Sequence, residues 1–133
     1  FVIANAENAA GGSGITHSVA EDLFSSGVDV LTSGDHIWKK KEIYERLAND
    51  NRILRPLNYP KACPGRGAVI IDSYKGDKIG IVNLLGRVFM HPVDCPFNAA
   101  DSEVKKILSA SADKSQSAEG LRRIRRSSRY NER

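Results

Sequence analysis

The chain has 133 residues, 41% of them hydrophobic and 27% charged, the make-up of one globular domain that can bury a core without a metal or a disulfide to hold it. Its longest apolar runs, Val28 to Leu31 and Ile79 to Leu85, fall far short of the ~20 residues that cross a bilayer, and its two cysteines, Cys63 and Cys95, have no zinc-type spacing. The formal charge of +4 lies entirely in residues 109–133, with 7 Lys+Arg against 3 Asp+Glu, whereas residues 1–108 carry 13 of each and show no basic bias of the kind that binding to a phosphate backbone needs.

Phe1 to Asn5 and Val28 to Ser33 are short apolar runs that end in polar residues, and both read as buried strands. Between them Ile15, Val19, Leu23 and Phe24 recur at helical spacing, with Thr16 as N-cap and Gly27 closing the helix. The unit is β-α-β, with parallel strands and a right-handed crossover, so functional loops are expected after residues 5 and 33. Lys40 to Leu47 reads as a short amphipathic helix with Ile43 and Leu47 inward and Glu42, Glu45 and Arg46 outward. Ala68 to Tyr74 and Lys78 to Leu85 flank Lys75-Gly76-Asp77 as a hairpin, which makes the expected sheet mixed. Pro92 and Pro96 interrupt the stretch from Gly86 to Ala100, and a helix is expected from Asp101 to Leu108. Residues 109–133 are rich in Ser and Arg and poor in apolar side chains, so a disordered tail is expected beyond a domain of residues 1–108.

Two loops carry chemistry. The first, Asn5-Ala6-Glu7-Asn8-Ala9-Ala10-Gly11-Gly12-Ser13-Gly14, sets hard oxygen donors on Glu7 and Asn8 beside glycines that let backbone approach an anion. The second, Gly34-Asp35-His36-Ile37-Trp38, offers a carboxylate on Asp35 and an imidazole on His36. Either loop alone could be a solvated turn or a helix cap. Together, at the carboxyl ends of neighbouring parallel strands, they can converge on a metal ion.

The blocks Ala4 to Gly12 and Gly34 to Trp38 resemble the GENAAGG and GNHxW motifs of the YmdB-like metallophosphoesterases. Leu54 to Pro60, Pro64 to Gly67, Asn83 to Met90 and Asp94 to Phe97 resemble that family in order and spacing as well. The resemblance implies a partial α/β sandwich of the calcineurin-like phosphoesterase kind, holding two divalent ions, iron or manganese, and hydrolysing phosphodiesters such as 2',3'-cyclic nucleotides. By the same resemblance Glu7 is the bridging carboxylate, Asn8 a ligand of one metal, Asp35 a ligand where the family has Asn, and His36 the proton donor. A bridging carboxylate of this kind holds two cations ~3.5 to 4 Å apart, so that one activates water and both stabilise charge on phosphorus.

The family's first strand with its metal-binding Asp, and its three metal-binding His residues, have no counterpart here. His17 and His91 do not match those positions and read as ordinary helix and loop histidines. The chain therefore reads as an internal fragment of an enzyme lineage, with impaired activity expected and a non-catalytic remnant as the rival. The abrupt change near Ser109 reads as a truncated or frameshifted frame. A third reading, nucleic-acid binding through Leu121 to Arg126, would show salt-dependent affinity. Trp38 and Phe89 read as core-edge aromatics, Arg66 and Arg87 as makers of loop contacts, and the cysteines as reduced thiols of a cytoplasmic protein. Homo-oligomerisation through an open sheet edge is a further expectation.

Overall fold

The structure, a computed structural model, describes residues 1–110. Two compact units divide the chain at Glu103 and Val104, and of the second only residues 104–110, all helical, are described. In the first unit, strand β1 (Ile3–Asn5) leads through the glycine loop to helix α1 (His17–Ser25) and strand β2 (Val30–Thr32). A 3-10 turn (Asp35–Trp38), helix α2 (Ile43–Asn49) and strand β3 (Ile53–Leu54) follow, and then the hairpin β4 (Ala68–Asp72) and β5 (Lys78–Val82).

The β-α-β unit forms as its pattern dictates. Thr16 caps α1 by accepting from the Val19 amide at 3.2 Å, and Gly27, at φ +97°, turns the chain out of the helix into β2. β1 and β2 pair in parallel with Asn5 opposite Thr32, and β3 continues the sheet in the order β1-β2-β3. The two residues of β3 carry no periodicity of their own, and sequence reading did not find it. β4 and β5 form a separate antiparallel pair, joined to the first sheet by an isolated bridge between Leu54 and Arg66. Parallel and antiparallel pairing are thus both present, as expected, but in two sheets.

Alternation along β2 and β3 decides what each face covers. Leu31 and Ile53 join Ile15, Ala20, Ile37, Ile43 and Leu47 in a core on the helix side. Val30 and Leu54 join Val69 and Ile81 of the hairpin in a second core on the other side. Each Ile or Leu buried in this way contributes about 1.5–3 kcal/mol of transfer free energy. The parallel sheet lies between helices and hairpin, a layered α/β arrangement.

Four local readings change. β1, read as a buried strand, is exposed at Ile3 and Asn5. Arg46, expected on the outer face of α2, is buried, because Glu21 and Asp50 neutralise its guanidinium and Phe24 lies 5.3 Å from it. The last described helix, α3, covers residues 96–110 rather than starting at Asp101. Pro96 opens it: a proline at a first helical position forfeits no hydrogen bond, since that amide has no partner in the helix anyway. Phe89, expected at the core edge, stands fully exposed. The tail expected to be disordered lies outside the described residues, apart from Ser109 and Ala110, which belong to α3. Among the described residues no helix is long and apolar enough to cross a membrane.

Candidate functional site

The two polar loops leave the carboxyl ends of adjacent parallel strands, and the ladder runs on one step beyond them, with the Ala6 amide donating to the Thr32 carbonyl at 2.9 Å. The glycine loop folds back on itself. The Gly14 amide donates to the Glu7 carbonyl at 2.7 Å, the Gly12 amide to the Asn8 carbonyl at 3.1 Å, and the Ala10 amide to the Gly14 carbonyl at 2.9 Å. Gly14 sits at φ +78°, and a Cβ there would crowd the His36 carbonyl at 3.0 Å, so glycine is what lets the first loop lie against the second.

Glu7 and Asn8 meet the second loop directly. The His36 amide points at Glu7 Oε1 at 3.4 Å, and His36 Nδ1 lies 2.6 Å from Asn8 Oδ1. His36 Nε2 lies 3.9 Å from Asp35 Oδ2, with both side chains about one-third exposed. A Cβ on Gly34 would collide with the Glu7 carboxylate, so this residue too is small for a reason. The four residues singled out from sequence, Glu7, Asn8, Asp35 and His36, are therefore neighbours across one pair of strand ends.

A third loop, following β3, supports them and was not assigned a role from sequence. Tyr59 packs edge-on to Trp38 with ring centroids 5.5 Å apart. Burial holds its phenol above the ordinary tyrosine range, and the negative charges of Asp35 and Glu7 add to the rise. No sequence signal marked Tyr59, because the strand it follows, β3, has too few residues to show a period. Buried amides fix the platform. Asn83 Nδ2 donates to the Ser33 carbonyl at 2.7 Å and the Leu54 carbonyl at 3.0 Å, tying β5 to the ends of β2 and β3. Asn58 Nδ2 donates to the Leu85 and Asp94 carbonyls at 2.8 and 2.9 Å. Arg55, also buried, spends its guanidinium on the Pro56 and Pro64 carbonyls at 2.7 and 3.2 Å.

Among the described residues no three His, Cys, Asp or Glu side chains form a group that could hold a metal by themselves. The donor set is nonetheless of one kind: two carboxylates and an amide oxygen, the hard ligands that divalent cations of the first row and of the alkaline earths take. It fits part of a metal centre. His17 is exposed at the first position of α1, its amide donating to Glu42 Oε1 at 3.3 Å. His91 is exposed too, but it lines a cleft together with Asp35.

A family model described as YmdB-like protein matches residues 1–117. The chain is 41% identical over 101 residues to a 2',3'-cyclic-nucleotide 2'-phosphodiesterase of Bacillus subtilis strain 168, a match over 76% of this chain and 38% of that protein. Among solved structures it is similar to a hypothetical protein of Thermus thermophilus, with TM-score 0.74 and 40% identity over 79% of this chain and 41% of that one. A phosphatase of Mycoplasma pneumoniae superposes with TM-score 0.71 at 32% identity, over 80% of this chain and 40% of the other. The chain thus spans about two fifths of the length of these relatives. With the glycine loop, the strand-end carboxylates and the layered sheet all within the matched span, the chain belongs to the YmdB-like protein family.

Proposed function

We propose that residues 1–108 supply part of the active site of a metal-dependent phosphodiesterase, with phosphodiesters of the cyclic-nucleotide type as substrate. The observation that carries this reading is the meeting of Glu7, Asn8, Asp35 and His36 at the ends of β1 and β2, with His36 Nδ1 held 2.6 Å from Asn8 Oδ1. Glu7 and Asp35 bring two carboxylates to the place where a phosphodiester anion would lie. Alone they would repel it, so the site makes chemical sense with cations between carboxylates and phosphate. Glu7, Asn8 and Asp35 are the described residues that would hold those divalent ions. When bound, the ions supply charge for the phosphoryl oxygens and a water acidic enough to attack at neutral pH.

The chain's own contribution is placement of a proton. With Nδ1–H donating to the Asn8 carbonyl oxygen, Nε2 is the ring nitrogen left for the substrate, and it gives a proton to the departing oxygen when the ring is the doubly protonated imidazolium. The Glu7 carboxylate, reached by the His36 amide, keeps the two loops in register while this happens. The test is metal content by elemental analysis, together with hydrolysis of bis-p-nitrophenyl phosphate in added manganese. Bound metal with impaired turnover is expected, and His36→Ala should cut that turnover by roughly 10²- to 10⁴-fold while metal content is retained. Loss of metal in that variant would make His36 a ligand instead. Absence of both metal and turnover in the parent chain would make it a non-catalytic remnant.

A further inference from the structure

The loop after β5 contains an outlier. Phe89 has φ +59°, the single non-glycine residue at positive φ among the described residues, and its side chain is fully exposed at 103%. An aromatic residue in the left-handed region is strained, and a ring standing in water recovers none of that cost through burial. Such strain persists only where the surroundings impose it, and it gathers at ligand clamps. Phe89 is so placed. With Met90, His91, Pro92 and Asp35 it lines a cleft of about 330 Å³, within the range of small-ligand pockets. One wall of that cleft is a member of the metal-binding set, and the other is an apolar ring facing open space.

We propose that Phe89 is the stacking surface for the nucleobase of a nucleotide whose phosphoester lies at Asp35 and His36. The inference rests on the phosphodiesterase reading and adds to it a basis for preferring nucleotides over simple phosphodiesters. Stacking uses the face of the base and not its edge, so the preference extends to purines and pyrimidines alike. An exposed ring held in a strained turn suits this task, because it presents a flat apolar surface that needs no rearrangement before a base meets it.

The test compares two probes on the chain in manganese buffer by titration calorimetry: adenosine 2'-monophosphate, which carries a base, and inorganic phosphate, which does not. Phe89→Ala should weaken the nucleotide by roughly 5- to 150-fold, the effect of losing one stacked base, and leave phosphate affinity unchanged. Phe89→Tyr should restore nucleotide binding. Thermal unfolding of Phe89→Ala should match the parent chain, because the ring packs on nothing. An equal loss for both probes, or a drop in stability, would overturn the proposal and make Phe89 a packing residue. If the parent chain binds phosphate as tightly as the nucleotide, the stacking role fails and the phosphodiesterase reading stands. If it binds neither, the phosphodiesterase reading falls, and this one with it.

Discussion

At Gly34 a Cβ would run into the carboxylate of Glu7, and at Gly67 it would run into the backbone of Leu57. The two glycines answer to different neighbours, so the same substitution should fail differently at each. Glu7 is the end of a flexible side chain and can swing away, so Gly34→Ala should fold, lose at least about tenfold in manganese affinity or turnover, and unfold only slightly earlier. Leu57 cannot move without carrying the third loop with it, so Gly67→Ala should cost about 1–3 kcal/mol or more, seen as a lower midpoint in urea. That Glu7, Asn8, Asp35 and His36 come together was legible in the sequence, because they follow two apolar runs that read as neighbouring parallel strands. Phe89 and Tyr59 were not. An aromatic residue in a sequence is read as a core residue, and only the backbone angle of one and the strand-end position of the other reveal their surroundings.

Elements here are held together by a few buried polar groups, and these set what can be broken. Asn83 brings one amide to the carbonyls that end β2 and β3, and its own backbone pairs with Gly67 and Leu57 at 2.8 Å each. Asn83→Ala strips the Ser33 carbonyl of its 2.7 Å donor and should cost about 2 kcal/mol in chemical denaturation. The proposed phosphodiesterase activity should fall with it, since the second polar loop starts at the Ser33 carbonyl. The C-cap of α2 carries a pH-dependent term. Burial alone would raise the Asp50 carboxyl, but its hydrogen bonds and charge pairing with Arg52, joined by Arg46, leave it below the ordinary carboxylate range. A carboxylate held low in the folded state contributes stability that is present above the unfolded value, near pH 4, and lost as pH falls through the lower folded value. Acid unfolding should therefore begin below about pH 4, and Asp50→Asn should flatten that limb while lowering stability at pH 7. The amphipathic spacing of α1 announced that helix, cap included. It could not announce β3, whose two residues are too few to show a period, nor the early start of α3, where Pro96 reads as a breaker until it is seen to open the helix.

For the molecule as a whole, the β-α-β unit and the hairpin could be read from sequence because each is a local pattern of alternation and turn chemistry. How the layers divide could not, since it depends on which face of β2 and β3 meets the hairpin, a pairing across distant parts of the chain. One consequence lies at the sheet's edge. Among the described residues β1 pairs with β2 alone, and Ile3 on it is 48% exposed, with Phe1 and Val2 beside it at 40% and 49%. A short apolar edge strand without a charge or proline to guard it offers its free backbone groups and its side chains to another strand, and a second copy of this chain supplies the same edge. Antiparallel pairing of two β1 edges would close on itself as a two-fold dimer and so stop at two copies. Sedimentation velocity over a range of concentrations should then show a monomer–dimer equilibrium rather than open-ended growth. Ile3→Lys places a charge on the edge without touching either buried cluster, so it should shift the equilibrium to monomer while leaving the circular dichroism spectrum unchanged. If the parent chain sediments as a monomer at every concentration, the strand is too short to associate unaided; if Ile3→Lys remains dimeric, the contact lies on another face.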